Sequence, residues 1–327
     1  MASGYAVFVA SLALALYLYV MPSSNAVRSG DKTSASKNIR QDVVLVSVKN
    51  GVFEPASWHS GQKPEIFGFE PDASNQDIIY AASNAGLFVS KDGGFSWYPF
   101  SDLEKNLDGA AVYSVKSVKN PNKIFISAFK NNQGFVYETE DRLFNLKKIF
   151  DADRTIIYSL AFKDNLLYLG LGDGRLLAYN PKTKEFNLTA SFGSPITEVL
   201  ADQRIFVKTK NKGVFINSSA GYVNITSNRV EDLFLDNQKA IYAASLNQVL
   251  KSSNLGRTWQ KLPTLNSASA NITAAASDNK GKIFFAAGRK LYQSLDKGSK
   301  WQTLLESKKT IDSLFIDKNG KMIAGLK

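Results

Sequence analysis

The chain has 327 residues, 44% of them hydrophobic and 12% aromatic, which is enough apolar side chain for a sizeable core and too much for global disorder. It holds no cysteine and one histidine, which excludes disulfides, thiolate metal sites and a cysteine nucleophile, and argues against any metal centre or cofactor. Its 40 Lys and Arg against 29 Asp and Glu leave a formal charge of +11, which points to an acidic partner.

The first element is an uncharged run from Tyr5 to Met21, dense in Ala, Leu, Val and Tyr. Residues 1–21 are expected to form one hydrophobic helix, a transmembrane anchor or a signal segment. Ser24-Asn25-Ala26 carries small residues where a signal peptidase needs them, so a cleaved, secreted form is consistent with the sequence. Met1 to Gly4 lacks Lys and Arg, whereas Arg28, Lys32, Lys37 and Arg40 come after the run. The positive-inside rule by itself would hold the rest of the chain in the cytoplasm. Residues 22–41, rich in Ser, Asn and Lys, read as a flexible linker.

From residue 42 to residue 327 one phrase returns seven times, an apolar residue, a variable one, a small or polar one, and another apolar. It stands at Ile66-Phe67-Gly68-Phe69, Val112-Tyr113-Ser114-Val115, Ile157-Tyr158-Ser159-Leu160, Ile196-Thr197-Glu198-Val199, Val230-Glu231-Asp232-Leu233, Ile272-Thr273-Ala274-Ala275 and Ile311-Asp312-Ser313-Leu314. Each is followed by a second apolar pair, such as Ile79-Tyr80, Ile124-Phe125 or Ile241-Tyr242. The interval is about 34 to 46 residues, the length of one four-stranded propeller blade. The last unit has only two strands before the chain stops at Lys327. The missing pair is sought at the other end, in Val43–Val48 and Val52-Phe53. The expected fold is all-β: a seven-bladed propeller whose N-terminal strands complete the last blade, so that no sheet edge is left open between the first and last units.

Three units contain a hairpin of common spacing: Ser90, Asp92, Gly94 and Trp97; Ser252, Asn254, Gly256 and Trp259; Ser294, Asp296, Gly298 and Trp301. A short acidic or amide side chain bonds the N–H groups of its own turn, Gly supplies a positive φ, and Trp returns to the sheet as an apolar plug.

These hairpins resemble the Asp-box, or bacterial neuraminidase (BNR), repeat of β-propellers. The first copy matches throughout; the second has Asn254 for Asp, and the third has Lys300 for Ser or Thr. The repeat is shared by sialidases, xyloglucan-cleaving enzymes, sortilin-type receptors and the photosystem II stability propeller. The resemblance implies that the box is a folding element set away from the working face. It also implies a propeller outside the cytoplasm, whether periplasmic, lumenal or at the cell surface.

In an up-and-down blade the hairpins between third and fourth strands lie on one face. The turns between second and third strands, and the links between blades, lie on the other. That second face collects Lys130, Arg154, Lys208, Lys210, Lys212, Arg229, Arg289, Lys290 and Lys309, a cationic surface suited to an acidic protein or an anionic glycan. Catalytic chemistry finds little footing. Glu198 and Asp232 occupy matching positions of adjacent inner strands, as a glycosidase pair would, but inner positions are read as small or polar because the channel is crowded. Arg204-Ile205 is followed by Phe206, so the Arg-Ile-Pro motif of sialidases is missing. His59, beside Trp58, reads as a packing residue. No phosphate loop is present, and the aromatic residues are read at core phase, against nucleic-acid binding. The asparagine triplets at Asn187, Asn217, Asn224 and Asn271 are not taken as glycan sites. The expectation is a non-enzymatic scaffold, anchored or exported, with assembly of a membrane complex as one role; the alternative is a carbohydrate-active propeller enzyme.

Overall fold

The computed structural model describes residues 42–327 apart from 48–51, 60–63, 102–104, 120–121, 141–144, 227–228, 237, 246–247, 264–270, 279, 318–319 and 327. The expected N-terminal helix and linker therefore lie outside the described residues. Among the described residues every regular element is a strand, and no helix is long and apolar enough to cross a membrane.

The strands form an all-β propeller. Six sheets have four strands and one has five, and within each the chain zigzags outward from an inner strand. The inner strands are Ile66–Pro71, Ala111–Val118, Ile157–Lys163, Ile196–Ala201, Asp232–Leu235, Ile272–Ser277 and Ile311–Ile316, and we number the sheets one to seven by them. In sheet seven, Ile311–Ile316 pairs with Met322–Leu326, which pairs with Asp42–Ser47 and then Val52–Pro55. The register Val44↔Ala324 and Leu45↔Ile323 thus joins the two ends of the domain in one ladder.

The core is divided among the gaps between sheets. Phe125 and Val136 of sheet two pack on Leu167 and Leu169 of sheet three, and Ala274 and Phe284 of sheet six on Ile311 and Met322 of sheet seven. One further cluster closes the ring, joining Ile323 and Phe315 of sheet seven to Ile66, Ile79 and Trp97 of sheet one. A strand covered on both faces has no polar side to show. Accordingly Ile79–Ser83, Ile205–Thr209, Ile283–Ala287 and Met322–Leu326 are buried at every residue.

Sheet one departs from the four-strand unit. Ser57–Trp58 pairs in parallel with Ser96–Pro99 on its outer edge. There Trp58 stacks on Trp97 at 5.6 Å between ring centroids, and His59 stacks on Tyr98 at 4.3 Å. His59 is exposed, on the outside of the ring, and Tyr98 is its ring partner.

All three box hairpins have one hydrogen-bond pattern. Ser90 Oγ donates to Asp92 Oδ1 (2.8 Å) and accepts from Gly94 N–H (2.7 Å), while Ser96 N–H donates to Asp92 Oδ1 (2.8 Å). In the second copy Asn254 Oδ1 takes the place of the carboxylate, accepting from Ser252 Oγ and Thr258 N–H. In the third, Lys300 needs only its backbone N–H, which donates to Asp296 Oδ1 at 2.8 Å. Both differences among the three hairpins are thereby explained, because the pattern asks for one side-chain oxygen and one main-chain donor. The hairpins also bind each sheet to the one before it. Trp259 Nε1 donates to the Ile225 carbonyl of sheet four, and Gly298 sits where a Cβ would lie 2.3 Å from Leu262 Cδ1 of sheet five.

Candidate functional site

The site is built by the repeated phrase. In six of the seven inner strands the ladder to the second strand slips between the first and third residues of the phrase, leaving the second as a β-bulge. Bulges re-aim a side chain. Here all seven second-position residues, including Glu231 just before its strand, line one central cavity of about 520 Å³.

In ring order the first three are Phe67, Tyr113 and Tyr158. Phe67 and Tyr113 stack at 4.8 Å, and Tyr158 meets Tyr113 edge-on at 5.4 Å. Phe67 is 39% exposed. Burial, with Tyr158 and Glu65 nearby, pushes the Tyr113 hydroxyl above its usual range. This aromatic crescent corrects the expectation of small or polar inner positions and of aromatics confined to the core. The signal was in the phrase itself, where a variable position that is aromatic three times running is no longer arbitrary.

Three of the third-position side chains stitch neighbouring sheets. Ser114 Oγ accepts from Leu160 N–H (3.1 Å), Ser159 Oγ from Val199 N–H (2.9 Å), and Asp232 Oδ2 from Ala275 N–H (2.7 Å). Each acceptor serves the fourth residue of the next phrase. At these three positions the polar side chain is thus a hydrogen-bond acceptor between neighbouring sheets.

Glu198 and Asp232, the pair considered for glycosidase chemistry, are both occupied. Glu198 is 2.9 Å from Lys208 Nζ, which also donates to the Glu231 carbonyl. Asp232 accepts Leu233 N–H as well as Ala275 N–H. Burial pushes the Asp232 carboxyl well above the usual range, and Glu198 adds to this against a partial offset from Lys208. Burial opposes the Lys208 charge, but Glu198 and Asp232 outweigh it and hold its pKa above that of an ordinary lysine.

The box hairpins join third to fourth strands, so they lie at the opposite end from the turns that carry the cationic residues. Arg154, Lys210 and Lys212 are exposed there; Lys212 Nζ donates to the Phe192 carbonyl. Lys130, Lys290 and Lys309 are half-buried. Three expected surface cations have carboxylate partners: Lys208 with Glu198, Arg229 with Glu231 at 2.8 Å, and Arg289 with Glu306 at 3.0 Å. Lys208 is also buried in its strand, which removes it from the open face. A side hollow of about 330 Å³ opens beside the channel, lined by Tyr158, Pro195, Thr197, Lys210 and Arg229 among others. Among the described residues no group of three or more His, Cys, Asp or Glu is placed to hold a metal ion.

No protein-family profile matches the chain, and no curated protein matches it in sequence. Solved structures do. The extracellular domain of BT4673 from B. thetaiotaomicron superposes with a TM-score of 0.61 at 16% identity over 83% of this chain, which spans 38% of that domain's length. YCF48 from Cyanidioschyzon merolae gives a TM-score of 0.63 at 12% identity, covering 86% of this chain and 98% of that one. A structure of YCF48 bound to D1 peptide gives 0.65 at 13% identity, covering 90% and 94%. At such identities the likeness concerns the fold, and on that evidence the chain is a β-propeller.

Proposed function

We propose that this chain is a seven-bladed, Asp-box-like binding scaffold, one blade per sheet, which holds an acidic segment of a partner protein across its turn face. The observation that carries the reading is the channel mouth with its side hollow, which Lys210 lines, on the face whose turns and links on blades two to four also carry exposed Arg154 and Lys212. Several like charges around a concave mouth raise the local concentration of an oppositely charged ligand and speed its arrival. The engaged state of Glu198 and Asp232 favours binding over hydrolysis. The propeller likeness to a protein solved with a bound peptide lends support at the level of fold. Residues 1–21 are proposed as the anchor or signal that places the propeller outside the cytoplasm, with 22–41 as its tether.

The test is capture from native membranes with the full chain and with a triple variant, Arg154→Glu, Lys210→Glu and Lys212→Glu. Loss of a specific partner on charge reversal supports the scaffold. An unchanged set of partners, or recovery of anionic glycan in place of protein, overturns it. Protease access to the propeller in intact cells tests the compartment.

A further inference from the structure

The channel mouth and the side hollow adjoin. Tyr158, Thr197, Lys208 and Glu231 line both, so the aromatic crescent of blades one to three runs into the hollow that holds Lys210 of blade four. Phe67 lies against Tyr113 with the ring planes 8° apart, yet it remains 39% exposed. Tyr113 and Tyr158 are half-buried, and their rings meet at 88°. Single exposed rings are ordinary, but three adjacent ones, all partly open to one cavity, are the lining of a ligand site.

The cations of the hollow are not equivalent. Lys208 is held by Glu198 at 2.9 Å and Arg229 by Glu231 at 2.8 Å. Lys210 is exposed and has no ion-pair partner among the described residues. One unmatched cation suits one carboxylate. A single-stranded nucleic acid also stacks on aromatic rings, but it draws its affinity from several phosphate contacts, and the other cations of this hollow are already neutralised. A ligand that satisfies both features carries a ring and, within a residue or two of it, a carboxylate.

We propose that the channel mouth receives an aromatic side chain of the partner's acidic segment, inserted against Phe67, Tyr113 and Tyr158, with a neighbouring carboxylate of that segment on Lys210. This deepens the scaffold reading and rests on it: the cationic face attracts the segment, and the crescent takes the residue that sets its register. An aromatic anchor is favoured over an aliphatic one because paired rings add about two- to tenfold in affinity beyond the area they bury. It is favoured over proline because these rings line a cavity of about 520 Å³, whereas a proline ring, fused to its backbone, suits a shallow groove. A ring buried in a concave site is also where interfaces concentrate their binding energy.

The test is a fluorescence-polarisation titration of the full chain with four labelled probes. They are a blocked peptide of tryptophan between two pairs of aspartates, the same peptide with alanine or with proline at its centre, and a short oligouridylate. The tryptophan peptide is expected to bind about tenfold or more tightly than the alanine peptide. Phe67→Leu and Tyr158→Leu should each weaken the tryptophan peptide about two- to tenfold and leave the alanine peptide unchanged, with Phe67→Tyr keeping the preference. Thermal melts verify that each variant is folded. Lys210→Glu should weaken both peptides. Equal binding of the tryptophan and alanine peptides overturns the proposal without recourse to any variant. So does tighter binding of the proline peptide or of the oligouridylate, binding of no probe, a tryptophan preference that Phe67→Leu and Tyr158→Leu leave intact, or indifference to Lys210→Glu. Failure here is separable from failure of the scaffold reading. Acidic peptides bound in a manner sensitive to Lys210→Glu, with no preference for tryptophan, leave the cationic face in place and remove the anchor.

Discussion

Replacing Gly298 by Ala tests whether the box glycines weld one blade to the next. Gly298 has φ +92, a region L-residues rarely adopt, and its added Cβ would sit 2.3 Å from Leu262 Cδ1 and 3.3 Å from Leu262 Cγ. Leu262 is 3% exposed, so it has little room to yield. The backbone strain costs about 1–3 kcal/mol, and the forced overlap about 1–3 kcal/mol more. Gly320 supplies the control, with φ +84 and nothing within 4 Å of a built Cβ. Gly320→Ala should therefore cost the strain alone. At about 2 °C per kcal/mol for a domain of this size, Gly298→Ala should lower Tm by about 4–12 °C and Gly320→Ala by about 2–6 °C. Thermal melts followed by circular dichroism measure both. In a Leu262→Ala background the packing part of the Gly298→Ala cost should vanish, a coupling of about 1–3 kcal/mol. If Gly298→Ala costs no more than Gly320→Ala, or the same with Leu262 truncated, the inter-blade role of the box glycine is refuted.

Trp97→Ala removes a fully buried ring that packs on Trp58 and Phe69, and should destabilise by about 3–5 kcal/mol in urea unfolding; a cost below about 1 kcal/mol would show the plug to be dispensable. Lys321 Nζ lies 3.9 Å from the Phe95 ring centroid and donates to the Asp92 carbonyl, tying sheet seven to the first hairpin, so Lys321→Met should cost about 0.5–1 kcal/mol, and less in a Phe95→Ala background, where only the Asp92 bond remains. Asp232 has a folded pKa above its unfolded one. Its protonated form is therefore favoured by folding, and its contribution to stability falls as pH rises from the usual carboxylate range towards neutrality. Asp232→Asn keeps an acceptor for Ala275 N–H, and should raise stability at neutral pH and flatten the slope between acid and neutral pH; an unchanged slope would contradict the assignment.

Much of the architecture was legible because blade formation imposes local rules. Six of the phrases fall within inner strands and that at Val230 begins two residues ahead of Asp232–Leu235, while the strands that complete the last sheet lie at residues 42–55, as expected. Box geometry was also readable, because Ser90, Asp92 and Gly94 satisfy one another within five residues. A second turn signature went unread. Asp72 and Asp236 each cap the turn after an inner strand and accept a hydrogen bond from the tyrosine of the next strand, Tyr80 at 2.8 Å and Tyr242 at 3.1 Å. The site was harder to read, because what fills a channel depends on register. A single bulged residue decides whether Tyr113 and Tyr158 face the core or the cavity. Charge pairing was hidden for a similar reason. Lys208 and Glu198 are ten residues apart in the chain and meet only because adjacent antiparallel strands set them opposite each other.

Site-specific photocrosslinking compares the two faces most directly. A photoreactive side chain replaces either Asn211, in the turn beside Lys210 and Lys212, or Leu295, which is 61% exposed in the third box hairpin on the opposite face. Illumination of the chain in intact cells should crosslink the partner from position 211 and give none from position 295. A crosslink from 295 with none from 211 would contradict the assignment of the turn face as the binding surface.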